Sequence, residues 1–458
     1  MKEIGNNSLA TKNCKEPSCL YCQNNVDFDM PEQLLEDFLI GEVALFVGSG
    51  ISTESRLVLP LTLYEEVAAE LGYKKCDKPF SELMERYCSQ SNGKIKLLSK
   101  IKYRFDNIKS FPELYRVATK FHHEIATLPQ VKTIITTNWD TYFEDECGAI
   151  PFIYPEDFAF WDTNERKVLK IHGSFNNFGS IVATKSDYKE CLKNLRKGIM
   201  GSVLKSILAT KTIVYIGYSF GDEDFQQIYS FVSKEMKGLS RQSYIVTLDK
   251  KNLGRFFKYG LTPIETDGTY FISIIKQHSV HKNITLPDII YDCAYYMRKI
   301  MSCAHEQLHK KYNCVKNPEI MYCAYYQDGA MHAYDRIMAL RNTGRYSCTC
   351  EFIKTSEVYK KLLKDYRHNK RYEDVAYIKG YLYAHMILLL SIKCPDKKLK
   401  LPLFYAYGYE GDIFNLKEYN KIFSKIPKFH KGAYVLAKKI IKKCNRGGKF
   451  VMHHPAYL

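Results

Sequence analysis

Four short stretches carry side chains suited to holding a phosphate- or sugar-bearing ligand, and each follows an apolar run. The first is Gly48-Ser-Gly-Ile-Ser52, after Val43-Ala-Leu-Phe-Val47. Its two glycines permit a tight turn and let a ligand approach bare backbone, and Ser49, Ser52 and Thr53 place hydroxyls where phosphate oxygens would sit. The second, Thr136-Thr-Asn-Trp-Asp140, follows the strand-like run from Val131. Asn138 offers a donor and an acceptor on one side chain. Asp140 offers a carboxylate that can hold hydroxyls, orient its neighbours or cap a helix. The third, His172-Gly-Ser174, follows Val168-Leu-Lys-Ile171 and brings an imidazole that titrates near neutral pH, suited to proton transfer. The fourth, Gly217-Tyr-Ser-Phe-Gly-Asp222, follows Thr212-Ile-Val-Tyr-Ile216. Singly these are ordinary strand-to-helix turns, and Thr53 stands where the dinucleotide fingerprint wants its third glycine. Four in series at the ends of strands form a candidate ligand cleft, because open α/β sheets bind at the carboxyl ends of their strands.

The elements that must position them are legible as an alternation. Apolar runs that do not alternate with polar residues read as buried parallel strands, here Val43–Val47, Val131–Thr136, Val168–Ile171, Thr212–Ile216 and Ser243–Leu248. Ser180–Thr184 reads as a further short strand ahead of a helix starting at Ser186. Helical spacing covers 31–40, 63–71, 111–127 and 223–237, with another helix near Leu253. This pattern predicts a doubly wound, Rossmann-like parallel sheet over residues 31–280. Beyond 280 the long apolar patterns are helical, as in Tyr372–Leu390, and tyrosines are dense, so residues 281–458 read as a mainly helical second domain. Residues 1–30 are a polar segment with Cys14, Cys19 and Cys22 in a C-x4-C-x2-C pattern. Three thiolates this close can ligate zinc if folding supplies a fourth donor, with Cys76, Cys88 or the Cys348/Cys350 pair available; the alternative is a reduced, partly ordered tail. His305, His309 and Cys314, at helical spacing, read as packed or exposed side chains rather than metal ligands.

A chain of 458 residues accommodates two or three domains, and 46% hydrophobic residues permit a full core. No uninterrupted apolar run approaches about 18 residues, so a transmembrane helix is not expected. The first residues lack the apolar core of a signal peptide. Fifteen cysteines, odd in number and scattered, predict reduced thiols in a cytoplasmic setting. The net charge of +17 lies entirely in residues 281–458, which hold 32 Lys+Arg against 15 Asp+Glu. Either that part faces a polyanion, such as a nucleic acid, or an acidic partner, or it is a lysine-rich solvated surface.

Gly48-Ser-Gly-Ile-Ser52, Thr136-Thr-Asn-Trp-Asp140, Ile171-His-Gly173 and Gly217-Tyr-Ser219 resemble, in order, the NAD-binding and catalytic motifs of the sirtuin superfamily. The branch most similar is the sirtuin-like NAD-consuming effectors of bacterial anti-phage defence, especially through Gly217-Tyr-Ser-Phe-Gly-Asp-Glu-Asp-Phe225. The likeness spans about residues 31–280. It implies that Gly48, Ser49, Gly50, Ile51, Ser52, Thr137, Asp140, Gly217, Ser219 and Phe220 bind NAD, with Asn138 and His172 catalytic. Deacylating sirtuins carry a four-cysteine zinc module after the catalytic His; here Cys191 is followed by no cysteine until Cys293. The implied reaction is therefore hydrolysis of NAD to ADP-ribose and nicotinamide. Cleaving the nicotinamide–ribose bond builds oxocarbenium-like charge on the ribose, as in glycoside hydrolysis. Asn138 would orient water or a ribose hydroxyl, and His172 would accept a proton. The resemblance also implies an abortive-infection role, homo-oligomerisation through the C-terminal domain, and partners such as a HerA-family ATPase or a short Argonaute. Two rival readings are an NAD-dependent protein deacylase and a non-catalytic nucleic-acid-binding scaffold.

Overall fold

Val43–Val47 (β1) is buried along its whole length, and its side chains divide strictly between two cores. Val43, Leu45 and Val47 enter one hydrophobic cluster; Ala44 and Phe46 enter the other. A strand covered on both faces has no need of polar alternation, which is why this run reads as continuously apolar. Around it a computed structural model shows a seven-stranded sheet in the order β3-β4-β2-β1-β5-β6-β7, every neighbouring pair parallel. The other strands are β2 Thr133–Thr136, β3 Ile150–Phe152, β4 Lys167–Lys170, β5 Thr212–Ile216, β6 Ser243–Thr247 and β7 Leu261–Glu265. The structure describes residues 22, 24–218, 234, 241–394, 399–445 and 452–456.

Helices cover both faces, as a doubly wound sheet requires. On one side are α1 (Glu32–Leu39), α5 (Pro112–Ala126) and α10 (Gly268–His281), which contribute Leu34, Phe38, Phe121, Ile125, Phe271 and Ile275. On the other lie α7 (Lys185–Lys197), α8 (Ile199–Thr210) and α9 (Leu253–Lys258), contributing Leu195, Leu204, Leu208 and Phe256. The chain places β2, β3 and β4 on one side of β1, then crosses to start β5 on the other. The order therefore reverses at β1, and the crevice of a doubly wound fold opens above that reversal. Helices α2 (Leu63–Glu70), α3 (Phe80–Cys88) and α4 (Gly93–Ser110) form a subsidiary core between β1 and α5 in sequence. Arg104 of α4, 5% exposed, anchors the loop after β1 by pairing with Glu54 at 2.9 Å and Glu66, and by donating to the Leu61 carbonyl at 3.0 Å.

Two expectations change. Ser180–Thr184 is not a strand. Its backbone donors are spent elsewhere: Val182 N–H on the His172 carbonyl at 3.1 Å, and Ala183 and Thr184 N–H on the Asp187 carboxylate that caps α7. With those donors taken, no ladder can form. The residues ahead of α1 also join the sheet domain. Val26 exchanges hydrogen bonds with the Thr266 hydroxyl, and Phe28 packs on Phe271 with centroids 5.6 Å apart. The proposed helix over 223–237 lies outside the described residues.

The chain divides into two compact units, Met1–Ile284 and Thr285–Leu458. The second is helical: α11 (Ile289–Lys311), α12 (Ile320–Ala339), α13 (Thr349–His368) and α14 (Tyr372–Lys393) lead, with three shorter helices, α15 (Leu416–Phe423), α16 (Ile426–Phe429) and α17 (Lys431–Cys444), after them. Helices α12 and α14 touch backbone to backbone at paired glycines. A Cβ on Gly329 would sit 2.0 Å from the Tyr377 carbonyl oxygen, and one on Gly380 would sit 1.8 Å from that of Tyr326. Helix α14 is long and apolar enough to cross a membrane by length and composition, and it contributes Tyr377, Ile378, Tyr381, Ala384 and Leu388 to this unit's core. The expectation of uniformly reduced thiols is also revised: Cys348 and Cys350 are joined, their Cα atoms 5.4 Å apart, within bridging range.

Candidate active site

Gly217–Tyr218, at the start of the fourth turn, and the other three turns lie side by side above β5, β1, β2 and β4, four consecutive strands of the sheet, and each is hydrogen-bonded to the next. Between β5 and β1, Gly48 N–H donates to the Ile216 carbonyl at 2.8 Å and Gly50 N–H to the Gly217 carbonyl at 3.1 Å. Between β1 and β2, Asn138 Nδ2 donates to the Gly48 carbonyl at 3.2 Å, and the Thr136 hydroxyl to the Val47 carbonyl at 2.7 Å. Between β2 and β4, Ile171 N–H donates to the Thr136 carbonyl at 3.0 Å and Phe175 N–H to the Trp139 carbonyl at 2.7 Å. One continuous set of bonds thus brings Gly48, Asn138, His172 and Gly217 to one edge of the sheet.

The glycines are dictated by this contact. A Cβ on Gly48 would lie 2.7 Å from the Gly217 carbonyl oxygen and 2.8 Å from the Tyr218 ring; one on Gly50 would lie 2.8 Å from the same oxygen. Gly217 itself has φ +78°, a left-handed conformation that glycine adopts without strain. Gly48 and Gly50 have committed their N–H groups, and the i-to-i+3 bonding of the single 3-10 turn Ser49–Ile51 engages that of Ile51, so an anion at this turn would meet the Ser49 amide at its start, beside the exposed Gly50.

Asn138 is 4% exposed. Its backbone N–H is held by the Thr136 hydroxyl at 3.0 Å and its Nδ2 by Gly48, which fixes the amide. Its Oδ1 is buried and has no hydrogen-bond partner in the protein. A buried acceptor held in place without a donor is costly, and such groups mark ligand sites. His172 is equally buried, and its ring packs on Tyr188 with centroids 4.9 Å apart. Gly173, at φ +80°, turns the chain so tightly that a Cβ would meet the Ser180 carbonyl.

Other residues expected to touch the ligand have internal duties. Ser52, fully buried, donates to Asp140 Oδ2 at 3.3 Å, and Tyr142 N–H donates to Asp140 Oδ1 at 3.2 Å. Both oxygens of Asp140 are engaged, so it orients the turn rather than reaching out. Burial pushes its carboxyl pKa upward, with Lys170 opposing. The Thr137 hydroxyl lies 3.0 Å from the Tyr218 hydroxyl, which also reaches the Val47 carbonyl at 3.2 Å. Ser219 and Phe220 lie outside the described residues, as do Cys14 and Cys19; Cys22 is half-buried.

Sequence reasoning missed Lys170. Its side chain is fully buried, and its ammonium bonds the Asp140 carbonyl and Glu144 Oε1, the latter at 3.1 Å. It stands two residues before His172 and ties β4 to the Asp140 turn. A lysine inside an apolar strand was the available signal, since lysine is almost never fully buried unless paired.

A crevice at the strand reversal, a glycine turn at its edge, and a buried amide and imidazole define a dinucleotide-type site on a doubly wound sheet. Residues 132–264 match the SIR2-like domain family, and the domain is sirtuin-like. Among curated proteins the chain is 27% identical over 213 residues to the NAD(+) hydrolase ThsA of Enterococcus faecium, covering 45% of this chain and 43% of that protein. It is 27% identical over 240 residues to defense-associated sirtuin 2 of Bacillus subtilis, covering 50% of this chain and 23% of that protein. Against ThsA of Acinetobacter baumannii (strain 532279) it is 22% identical over 304 residues, 63% of this chain and 58% of that protein. The chain spans less than half the length of the first two relatives.

Proposed function

We propose that this chain is an NAD glycohydrolase that cleaves NAD to nicotinamide and ADP-ribose, and that it serves as an anti-phage effector by depleting NAD. The observation that carries the reading is the buried, unpartnered Oδ1 of Asn138 beside a glycine turn at the sheet's reversal point. The relatives named as NAD(+) hydrolases and as a defence-associated sirtuin support it. In this reading the Ser49 amide, at the start of the 3-10 turn, receives the pyrophosphate. Asn138 Oδ1 accepts from a ribose hydroxyl or the attacking water, and His172 takes up the proton released as water adds to the ribose carbon. Burial of both side chains excludes stray solvent. Asp140, Lys170 and Ser52 are positioning residues that hold the Asn138 turn and the His172 strand in register.

Incubation of the purified chain with NAD alone tests this. Release of nicotinamide and ADP-ribose without any acylated peptide supports hydrolysis. Product formed only with an acyl-lysine peptide supports a deacylase and defeats the proposal. We further propose that the enzyme works in the cytoplasm, that the basic second unit mediates self-association or partner docking, and that this assembly sets the rate. Truncation after Ile284 that leaves both oligomeric mass and turnover unchanged refutes the last point. Zinc at Cys14, Cys19 and Cys22 stays a proposal for metal analysis of a Cys19→Ser variant.

A further inference from the structure

The second unit contains a cluster that NAD chemistry does not use. His305 and His309 stand four residues apart on α11, so their rings share one face, with centroids 4.5 Å apart. Asp328 of α12, 1% exposed, reaches the same point. His453 arrives from the described segment near the chain's end. Its ring stacks on that of His305 at 5.1 Å, and its Nδ1 lies 2.9 Å from Asp328 Oδ1. One donor atom each from His305, Asp328 and His453 lies within 4.8 Å of the others. Small side-chain rotations would close that spacing onto one ion at bond lengths of about 2.0–2.2 Å.

The surroundings orient these donors as a ligand set needs. Gln327 Nε2 donates to the Leu403 carbonyl at 2.8 Å, which turns Gln327 Oε1 toward His305 Nδ1 at 3.1 Å. Nδ1 must then carry the proton, leaving the Nε2 lone pair for a metal. The second oxygen of Asp328 accepts from the His454 N–H at 2.8 Å, and His454 Nε2 lies 3.2 Å from Asp374 Oδ1. Outer contacts of this kind fix tautomer and carboxylate orientation at metal centres. His305-Glu-Gln-Leu-His309 has the spacing by which zinc peptidases present two ligands and a general base. Here Glu306 is exposed and pairs with Lys310 at 3.6 Å, so hydrolysis is not part of the inference.

We propose that His305, Asp328 and His453 bind a divalent transition ion of zinc's class. Imidazole-rich sets with one carboxylate favour zinc and its neighbours over magnesium or calcium. The ion would tie α11, α12 and the chain's C-terminal segment together.

The test uses the full chain, without a histidine tag, carrying Cys14→Ser, Cys19→Ser and Cys22→Ser so that the N-terminal thiols cannot contribute. Metal-free protein titrated with Co2+ should bind one equivalent, with visible d–d bands and no thiolate charge-transfer band. Zn2+ should compete for that site, raise the melting temperature and slow proteolysis near residue 453, and Mg2+ should do none of these. His453 is exposed, so His453→Ala should fold normally yet weaken binding at least about tenfold; His305→Ala should do the same. Unchanged affinity in both variants overturns the site, as does a thiolate signature or equal stabilisation by Mg2+.

Discussion

Asn138→Ala should sharply lower NAD cleavage without costing stability, an unusual pairing for a residue this buried. The native side chain makes one neutral bond through Nδ2 to Gly48 at 3.2 Å. A bond at that length stands at the weak end of the range, about 0.5 kcal/mol. Against it stands the buried Oδ1 without a protein donor, whose desolvation costs about 1–3 kcal/mol. Removing both should leave the variant between about 0.5 and about 2.5 kcal/mol more stable than wild type, by the same balance. Loss of one preorganised polar contact at the reacting centre should lower turnover by about 10²–10³, or about 2.7–4 kcal/mol of barrier. Denaturant midpoints give the first quantity, and nicotinamide release followed by chromatography gives the second. A variant more than about 2 kcal/mol less stable that retains full turnover would refute the argument, because Asn138 would then be a structural side chain whose acceptor is satisfied inside the protein.

His172→Ala should remove NAD cleavage while full-length protein remains folded, and normal turnover in folded protein would take His172 out of the mechanism. Arg104→Met should cost about 3 kcal/mol, because Glu54 and Glu66 lose a buried partner; a shift in unfolding free energy under about 1 kcal/mol would show that the loop after β1 is held by other contacts. Gly380→Ala should destabilise the second unit by at least about 1–3 kcal/mol, since the added methyl meets the Tyr326 carbonyl; a melting temperature equal to wild type would contradict the close helix contact. Asp140 and Glu144 are both held above the ordinary carboxyl range, chiefly by burial, so the folded state keeps their protons to higher pH than the unfolded chain does. The stability they contribute is full below the unfolded pKa of about 4 and is lost as pH rises through the folded values. The melting temperature of Asp140→Asn relative to wild type should therefore rise as pH increases above about 4, and a difference independent of pH would refute the assignment.

The amino-acid order alone specified the parallel core strands, because residues buried on both faces leave an unbroken apolar run, as in Val43–Val47 and Thr212–Ile216. It also specified the four turns, since glycines and short polar side chains cluster where a strand must stop. The two edge strands escaped it. Ile150–Phe152 and Leu261–Glu265 are short, and each contains a proline, Pro151 and Pro263, which a strand tolerates only where the missing donor has no ladder to fill. Ser180–Thr184 looked like a strand because its apolar residues are buried, while its hydrogen bonds are claimed by a loop and a helix cap. What only the tertiary structure decided is which polar groups are spent. Gly48 and Gly50 give their amides to β5, Ser52 and Thr137 turn inward, Lys170 is buried as a strut, and Asn138 Oδ1 is left without a protein donor. The cluster of His305, Asp328 and His453 belongs to the same class, joining residues far apart in the chain. Local propensity acts over a few residues, whereas the partner of a buried polar group is set by whichever distant segment the packing brings within about 3 Å.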